Sequence, residues 1–310
     1  MKTLRIATRR SKLAVRQTEI VAEALRRRHR DVAVEAVTMS TRGDRHRGTL
    51  ADAGGKGLFT RELEQALRSG RVHLAVHSAK DLPAAMDPEF AIVAVPPRED
   101  PRDAVVSRRG GIDDLPPGAS VGTGSLRRRA QLLALRADLR VVPVRGNVET
   151  RLGKAIGDRA ELDAVVVAMA GLVRSGLAGA HAQCIHPLDV EGFVPAAGQG
   201  VLAVQALRDD PEVASLAAPL TDPRARRALE AERRVLRQVG ADCHSCVAVH
   251  VLPQADGWCG LAMVARPDGS DLLRLRCAAR DADGAATALL AELASHGAAD
   301  LLAAEGPLPP

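Results

Sequence analysis

Aromatic residues are nearly absent from this chain of 310 residues, which has three Phe, one Trp and no Tyr. Hydrophobic residues still make up 46% of the sequence and charged residues 26%, so a core can be built from Ala, Val, Leu and Ile. This balance excludes a disordered, collagen-like or fibrous chain. Because single-stranded nucleic acid is often held by stacking its bases on aromatic rings, the shortage also argues against that class of function.

Long apolar runs are missing as well. The longest near the middle, 164–173, has about half of the roughly 20 residues that a membrane-spanning helix needs. The N-terminus enters a strand-like pattern without the apolar stretch of a secretory signal. We therefore expect a cytoplasmic protein without a membrane segment.

Cysteine is sparse, and the five residues are Cys184, Cys243, Cys246, Cys259 and Cys277. An odd, scattered set in a long chain fits thiols in a reducing compartment better than a disulfide framework. Cys243 and Cys246 have a Cys-x-x-Cys spacing that also occurs in metal and redox sites, but no second close pair accompanies them. Zinc is therefore the weaker interpretation, and Cys243, in a loop after Gly240, is the cysteine that stands apart.

Predicted strands and helices alternate along the chain, which indicates an α/β fold with parallel sheets. The length suggests about two domains, with three small ones as the alternative. The predicted strands cover 4–8, 32–39, 72–76, 104–107, 120–123, 141–144, 164–169, 201–205, 247–252, 260–265 and 272–276. The predicted helices cover 11–29, 58–68, 126–136, 148–155, 223–239 and 284–295. Breaks rich in proline or glycine fall near Pro97 and Pro195.

Arginine follows a predicted strand and enters a helix three times, at 8–11, 122–128 and 144–151. A helix start carries unsatisfied N–H groups and a partial positive charge, so arginine there is unfavourable unless an anion lies close by. The pattern predicts an anionic ligand. Since guanidinium pairs bidentately with carboxylate and no full phosphate-loop motif is present, a ligand with several carboxylates is favoured over a nucleotide.

Simpler interpretations exist for members of these three segments. Ser11 and Ser125 fit N-caps. Arg127 and Arg128 fit a solvated charged face of a helix.

Lys80 and Asp81 directly follow the predicted strand at 72–76, at the end where open α/β sheets place their ligands. Asp81 is therefore a candidate acid/base or cation-stabilising group. In the alternative, Asp81 caps the turn before Leu82 and pairs with a neighbouring cation.

A series of short motifs runs in order from about residue 3 to about residue 300. They are Arg9 with Ser11, GKGLF at 55–59, HSAKD at 77–81, EDPRD at 99–103, SLRR at 125–128, RGN at 145–147, GQG at 198–200 and EAER at 230–233. Each is weak alone, but together they resemble the porphobilinogen deaminase family, also called hydroxymethylbilane synthases.

The resemblance implies an α/β fold with two class II periplasmic-binding-protein-like domains and the active site in the cleft between them. A smaller C-terminal α/β domain would carry a cofactor cysteine. We accordingly expect domain 1 over 1–97 and 200–218, domain 2 over 98–199, and domain 3 over 219–310.

The resemblance also implies a transferase reaction. Four porphobilinogen molecules are joined head to tail with loss of ammonia, and hydrolysis frees hydroxymethylbilane. The growing chain is held on a dipyrromethane primer, linked by a thioether to the cysteine matching Cys243, and no metal is implied. Further expectations are a cytoplasmic monomer that binds neither nucleic acid nor membrane, and a hand-over of product to uroporphyrinogen III synthase.

By the same matching, Asp81 is the catalytic carboxylate that stabilises the cation formed as ammonia leaves. The residues implied to bind primer and substrate are Arg9, Ser11, Lys56, Phe59, Ser78, Lys80, Thr123, Ser125, Arg127, Arg128, Arg145, Gly146, Asn147, Arg151, Arg174 and Gln199. Lys56 would lie in a mobile loop over the cleft, and Phe59 near the pyrrole, with a role in the core as its alternative.

The chain departs from the family pattern around the cofactor cysteine, where Ala241 and Asp242 stand at usually small positions and Cys246 stands at a usual proline. Asp242 should disfavour a thiolate at Cys243, and Cys246 offers a second thiol. Gly124 also replaces a commonly hydroxylated residue, which we expect to weaken carboxylate binding at most.

Two other classes of function compete with the enzyme. A non-catalytic anion-binding protein of the same architecture would bind reversibly and release no ammonia. A nucleic-acid binder, suggested by a pI of about 9.2, would lose affinity steeply with salt.

Overall fold

The computed structural model describes residues 3–41, 60–241 and 245–303. In chain order the strands are Thr3–Arg9 (β1), Ala33–Met39 (β2), Leu74–Ser78 (β3), Phe90–Ala94 (β4), Asp103–Val106 (β5), Ser120–Gly122 (β6), Arg140–Val142 (β7), Ala164–Ala168 (β8), Ile185–Pro187 (β9), Leu202–Leu207 (β10), Val247–Gln254 (β11), Gly257–Ala265 (β12) and Leu272–Ala279 (β13). The α-helices are Lys12–Arg28 (α1), Arg61–Arg68 (α2), Leu126–Leu135 (α3), Val148–Ile156 (α4), Met169–Arg174 (α5), Leu177–Ala180 (α6), Pro211–Ala217 (α7), Pro223–Gln238 (α8), Ala282–Ser295 (α9) and Ala298–Ala303 (α10).

The chain folds as two compact units. The first comprises Met1–Glu99 and Val201–Arg226, and the second comprises Asp100–Gly200 and Arg227–Pro310. The second unit therefore contains most of the predicted domains 2 and 3, and the division of this unit into two domains stays a prediction.

The first unit is built on a five-stranded sheet of order β2-β1-β3-β10-β4. β1 runs parallel to β2 and β3, whereas β10 is antiparallel to β3 and β4. Helix α1 covers one face, where Val21 and Leu25 join a buried cluster with Ile6 of β1. Helix α2 covers the other, where Leu63 packs in a cluster with Phe90.

The second unit contains a five-stranded sheet of order β7-β6-β8-β5-β9 and a three-stranded antiparallel sheet of order β11-β12-β13. Helix α3 contributes to two cores: Leu132 joins the cluster of the five-stranded sheet, and Ala130 joins a cluster with Met263 of β12. The turn at Gly269 approaches α3 so closely that a Cβ there would lie 2.8 Å from the carbonyl oxygen of Ala130. Helix α9 packs on the opposite face of this small sheet, through residues such as Leu289.

The α/β fold class is confirmed, but the expectation of parallel sheets is wrong in detail, because each five-stranded sheet contains one strand antiparallel to both neighbours. The predicted long helices and most predicted strands agree with the structure to within a few residues. The elements that the periodicity missed are β4, β9, α5, α6, α7 and α10. In the part of the chain that the structure describes, no helix is long and apolar enough to cross a bilayer.

Candidate active site

The first unit brings several predicted site residues to one edge of its sheet. β1 and β3 are parallel neighbours, so their carboxyl ends lie at the same edge. Arg9 ends β1 and Ser78 ends β3, and Lys80 and Asp81 follow in a short 3-10 turn. Ser11 is the N-cap of α1, as the simpler interpretation predicted, and any contact of Ser11 with a ligand stays a prediction.

Asp81 lies in a turn that is itself held in place. The backbone N–H of Ala79 donates to the carbonyl oxygen of Val201 at 2.9 Å, which ties the turn to the residue directly before β10. The Asp81 side chain is exposed, and among the described residues its carboxylate takes part in no hydrogen bond and no ion pair. The described structure therefore does not show the capping and pairing alternative, and it leaves the carboxylate open to a ligand.

Buried polar side chains lie behind this turn. His77, on β3, is 6% exposed, and its Nε2 is 2.8 Å from Oε1 of Gln205 on β10. The pKa of His77 is lowered to about 4, mainly by burial; the hydrogen bond with Gln205 opposes this shift, and the charge of Arg9 adds to it. His77 is therefore neutral at pH 7. Gln205 donates to Glu64 of α2 at 3.2 Å, and Gln17 of α1 donates to Ser78 Oγ at 2.9 Å.

The second unit repeats the arrangement at the carboxyl ends of β7, β6 and β8, which are parallel neighbours. Thr123 and Ser125 follow β6, and Arg145 follows β7 in an exposed position. Thr123 Oγ1 accepts from the backbone N–H of Ser125 at 3.2 Å, and Ser125 caps α3. Arg174, at the end of α5, donates to the carbonyl oxygen of Gly200 at 2.6 Å.

The loop between β7 and α4 is shaped by Gly146 and Asn147. Gly146 has a φ of +108°, and a Cβ there would lie 2.7 Å from Cγ2 of Thr150. Asn147 is the N-cap of α4, since its Oδ1 accepts from the backbone N–H of Thr150 at 2.8 Å. Arg151 Nε donates to the carbonyl oxygen of Gly146 at 2.9 Å, which ties the loop to the helix.

Arg127 and Arg128 are not a solvated face, because they are only 5% and 6% exposed. Both are paired with Asp103, the fully buried first residue of β5. Arg127 Nη2 donates to Asp103 Oδ2 at 2.7 Å, and Arg128 Nη2 donates to Asp103 Oδ1 at 2.6 Å. Gln199 Nε2 donates to the same Oδ1 at 2.9 Å. Burial lowers the pKa of Arg127, while the Asp103 carboxylate opposes that shift.

The chain therefore supplies an anion for this helix start, in the form of Asp103. Two guanidinium groups stand against one carboxylate, so the triad keeps an excess of positive charge. Asp103 lies within the EDPRD motif but was assigned no role from the sequence. The available signal was a carboxylate at the head of the apolar strand DAVV, whose four residues are all buried.

The cofactor cysteine predicted from the sequence, Cys243, lies outside the described residues, as do Lys56 and Phe59. Cys246 is fully buried in the cluster that also holds Cys259. Cys277 pairs with Gly260 in the sheet register, so it points to the face opposite Cys259. Among the residues that the structure describes, no three His, Cys, Asp or Glu side chains are grouped to hold a metal ion.

The fold and the two sheet edges define an α/β protein with cationic and hydroxyl groups gathered at the carboxyl ends of its parallel strands. Comparison with known proteins then gives the family. Residues 4–215 match the family model described as porphobilinogen deaminase, dipyromethane cofactor binding domain. The chain belongs to the porphobilinogen deaminase family.

Full-length relatives agree with that assignment. A porphobilinogen deaminase of Roseiflexus sp. (strain RS-1) is 46% identical over 304 residues, covering 97% of this chain and 99% of the relative. A porphobilinogen deaminase of Thiobacillus denitrificans (strain ATCC 25259 / T1) is 45% identical, covering 97% of this chain and 98% of the relative.

Solved structures of lower similarity include the periplasmic aliphatic sulphonate binding protein SsuA from Escherichia coli. It is 15% identical with a TM-score of 0.41, covering 77% of this chain and 71% of that one. The LysR family transcriptional regulator CbnR is 13% identical with a TM-score of 0.43, covering 73% of this chain and 69% of that one.

Proposed function

We propose that this chain is a transferase that joins four porphobilinogen molecules head to tail, releases ammonia at each step, and frees hydroxymethylbilane by hydrolysis. The observation that carries this proposal is the family match over 4–215, which includes Asp81 and each arginine assigned to the site. The exposed Asp81 carboxylate at a strand end supports the role of that residue, and the cationic sheet edges support a substrate with several carboxylates.

The described residues fit the dipyrromethane group. Each of its pyrrole rings carries an acetate and a propionate, and guanidinium groups are suited to carboxylates because they donate two parallel hydrogen bonds. Arg145 is exposed and Arg151 and Arg174 are half-buried at one sheet edge, while the triad of Arg127, Arg128 and Asp103 adds an excess positive charge. We propose that these five arginines, with Thr123 and Ser125, hold the carboxylates of the group.

We propose Cys243 as the attachment residue of that group. When bound, dipyrromethane supplies the pyrrole carbon to which the incoming unit is joined. The complete burial of Cys246 supports Cys243 over Cys246 as the residue that carries it.

Asp81 then acts on the substrate. Its carboxylate accepts hydrogen bonds from pyrrole N–H groups and stabilises the positive charge that develops on the substrate as ammonia departs. Arg9, Ser11, Ser78 and Lys80, at the same sheet edge, bind substrate carboxylates and orient the aminomethyl group. Gln199 contributes through its bond to Asp103.

Intact-protein mass under denaturing conditions, followed by peptide mapping, tests this function. We expect extra mass equal to two deaminated porphobilinogen units on Cys243, and release of ammonia when porphobilinogen is added. An unmodified chain that acquires no mass from porphobilinogen would instead be an anion-binding protein. Primer found on Cys246 in a Cys243→Ser protein would contradict the assignment of Cys243 as the attachment residue.

The family also supports four finer proposals. We propose a cytoplasmic monomer, with domains over 1–97 and 200–218, 98–199, and 219–310, that hands its product to uroporphyrinogen III synthase. Size-exclusion chromatography with light scattering tests the monomer, since a mass twice that of the chain would contradict it.

A further inference from the structure

Two sets of side-chain hydrogen bonds converge on the last two residues of β3. On one face of the sheet, His77 is linked through Gln205 to Glu64 of α2, with distances of 2.8 and 3.2 Å. On the other face, Gln17 of α1 donates to Ser78 Oγ at 2.9 Å. His77, Gln205 and Gln17 are 6%, 0% and 5% exposed. The turn that carries Asp81 begins at the next residue.

The direction of donation on the α2 side follows from the chemistry of Glu64. A carboxylate oxygen of Glu64 accepts from Nε2 of the Gln205 amide, so Oε1 of that amide faces His77. His77 must therefore carry a proton on Nε2 and donate it. His77, Gln205 and Glu64 thus form a line of hydrogen bonds. Each group in the line is used in one orientation, which fixes the rotamers of all three side chains.

Packing alone does not call for polar side chains at these positions. His77 and Gln205 lie on the face of the sheet that packs against Leu63 and Ala66 of α2, where apolar residues would fill the same space without loss of hydration. Gln205 also lies where the register of β10 against β4 shifts, and such irregularities re-aim a side chain. The line is thus a specific arrangement, held in a layer that would otherwise be apolar.

We propose that His77 and Gln205 are positioning residues for Asp81, which fix the direction in which β3 leaves the sheet and so the place of the Asp81 carboxylate. The proposal rests on the proposed catalytic role of Asp81. Ala79 supports it, because the bond from its N–H to Val201 ties the same turn to the residue directly before β10, the strand that carries Gln205. A change in the line would displace the turn by a fraction of an ångström, which is enough to slow a reaction that depends on alignment.

A matched pair of substitutions at His77 tests the proposal. The side-chain nitrogen of glutamine reaches about as far as Nε2 of histidine, whereas that of asparagine stops one bond short. We expect His77→Asn to lower kcat about tenfold or more while KM for porphobilinogen stays within about twofold. His77→Gln should restore kcat to within about threefold of the wild type. Primer loading is checked in each protein by intact mass.

Gln205→Met provides a second, independent variant, because it removes both bonds of the line at a fully buried position. We expect the kcat loss of His77→Asn, and the double variant should be no slower than either single one, since the two residues act as a unit. Ser107→Ala is the matched control in the other unit: it removes the bond from a buried hydroxyl to the carbonyl oxygen of Asp163 and the bond that this hydroxyl accepts from the backbone N–H of Arg109. It should lower stability without changing kcat.

Wild-type kcat in folded His77→Asn or Gln205→Met overturns the proposal, as does equal impairment of His77→Gln and His77→Asn. If His77→Asn does not fold, the kcat of Gln205→Met decides. An unmodified wild-type protein that releases no ammonia from porphobilinogen overturns the proposed function, and this inference with it. An active wild type with unaffected variants overturns this inference alone.

Discussion

At the residue scale, two carboxylates of this chain have opposite surroundings. Asp81 is exposed and makes no hydrogen bond or ion pair with the described residues, whereas Asp103 is fully buried against two guanidinium groups. Such surroundings decide whether a carboxylate takes part in catalysis or stabilises the fold. The two residues therefore predict different phenotypes.

Asp81→Asn keeps the shape of the side chain and removes its charge. We expect kcat to fall about 100-fold or more, because the developing cation loses its counter-charge. The free energy of unfolding should change little, because the carboxylate has no partner to lose among the described residues. Ammonia release and urea unfolding measure the two effects, and a kcat near that of the wild type would contradict the assignment.

Asp103→Asn, in contrast, should lower the stability of the protein strongly. The amide cannot accept from both arginines, because its NH2 group would face one of the guanidinium donors at about the present 2.7 Å. Breaking a buried ion pair on one side leaves uncompensated charge, so we expect a loss of about 3–5 kcal/mol in the free energy of unfolding. Glu191→Gln, which breaks the exposed pair with Arg276, is the control and should shift the urea midpoint far less. Equal midpoints for the two variants would rule out a structural role for Asp103.

The sequence predicted the local contacts of these residues better than their long-range partners. It predicted an anion beside Arg127 and Arg128 but not that Asp103 supplies one, because helical and strand periods show which face is buried and not which partner lies opposite. His77 was recognised only as part of a motif, since its bond to Gln205 spans 128 positions of the chain. Ser11 and Ser125 were predicted as caps because capping is a local interaction.

At the element scale, two substitutions of Asn147 at the start of α4 distinguish helix capping from ligand binding. Asn147→Ala loses the two bonds that Asn147 Oδ1 accepts from the backbone N–H and the hydroxyl of Thr150, and should lower stability by about 1 kcal/mol. Asn147→Asp keeps a capping oxygen but places a negative charge beside Arg145 and Arg151. We expect it to be as stable as the wild type, with a higher KM for porphobilinogen than Asn147→Ala shows. An unchanged KM in Asn147→Asp would mean that this loop does not contact substrate carboxylates.

Elements were predictable where the period ran long enough. The 17 residues of α1 gave a clear amphipathic pattern, whereas β4 is the continuous apolar run FAIVA and has no period to read. The boundaries of β3 mattered most, because the predicted strand at 72–76 left His77 and Ser78 outside it, while the strand Leu74–Ser78 contains both. Only the structure showed the hydrogen bonds that their side chains make with Gln205 and Gln17.

At the scale of the whole molecule, the two five-stranded sheets share one plan. Each has three parallel strands followed by an antiparallel strand and an edge strand, in the orders β2-β1-β3-β10-β4 and β7-β6-β8-β5-β9. The equivalent ends of β1 and β6 carry Ser11 and Ser125 as N-caps. No repeat of fixed period is visible in the sequence, so this correspondence is carried by strand order and by the chemistry at the strand ends.

The pH dependence of stability tests the buried state of His77. Its pKa is lowered from 6.5 to about 4 in the folded protein, so between these values the unfolded chain binds a proton that the folded protein excludes. Stability from this group is therefore complete above about pH 6.5 and is lost as the pH falls towards 4, by up to about 3 kcal/mol. Glutamine does not titrate, so the wild type should lose more stability than His77→Gln between about pH 7 and about pH 4.5. His73, whose pKa burial also lowers, is present in both proteins and cancels. Urea unfolding of the two proteins at matched pH measures the difference, and a difference that stays constant with pH would show that His77 is not held neutral.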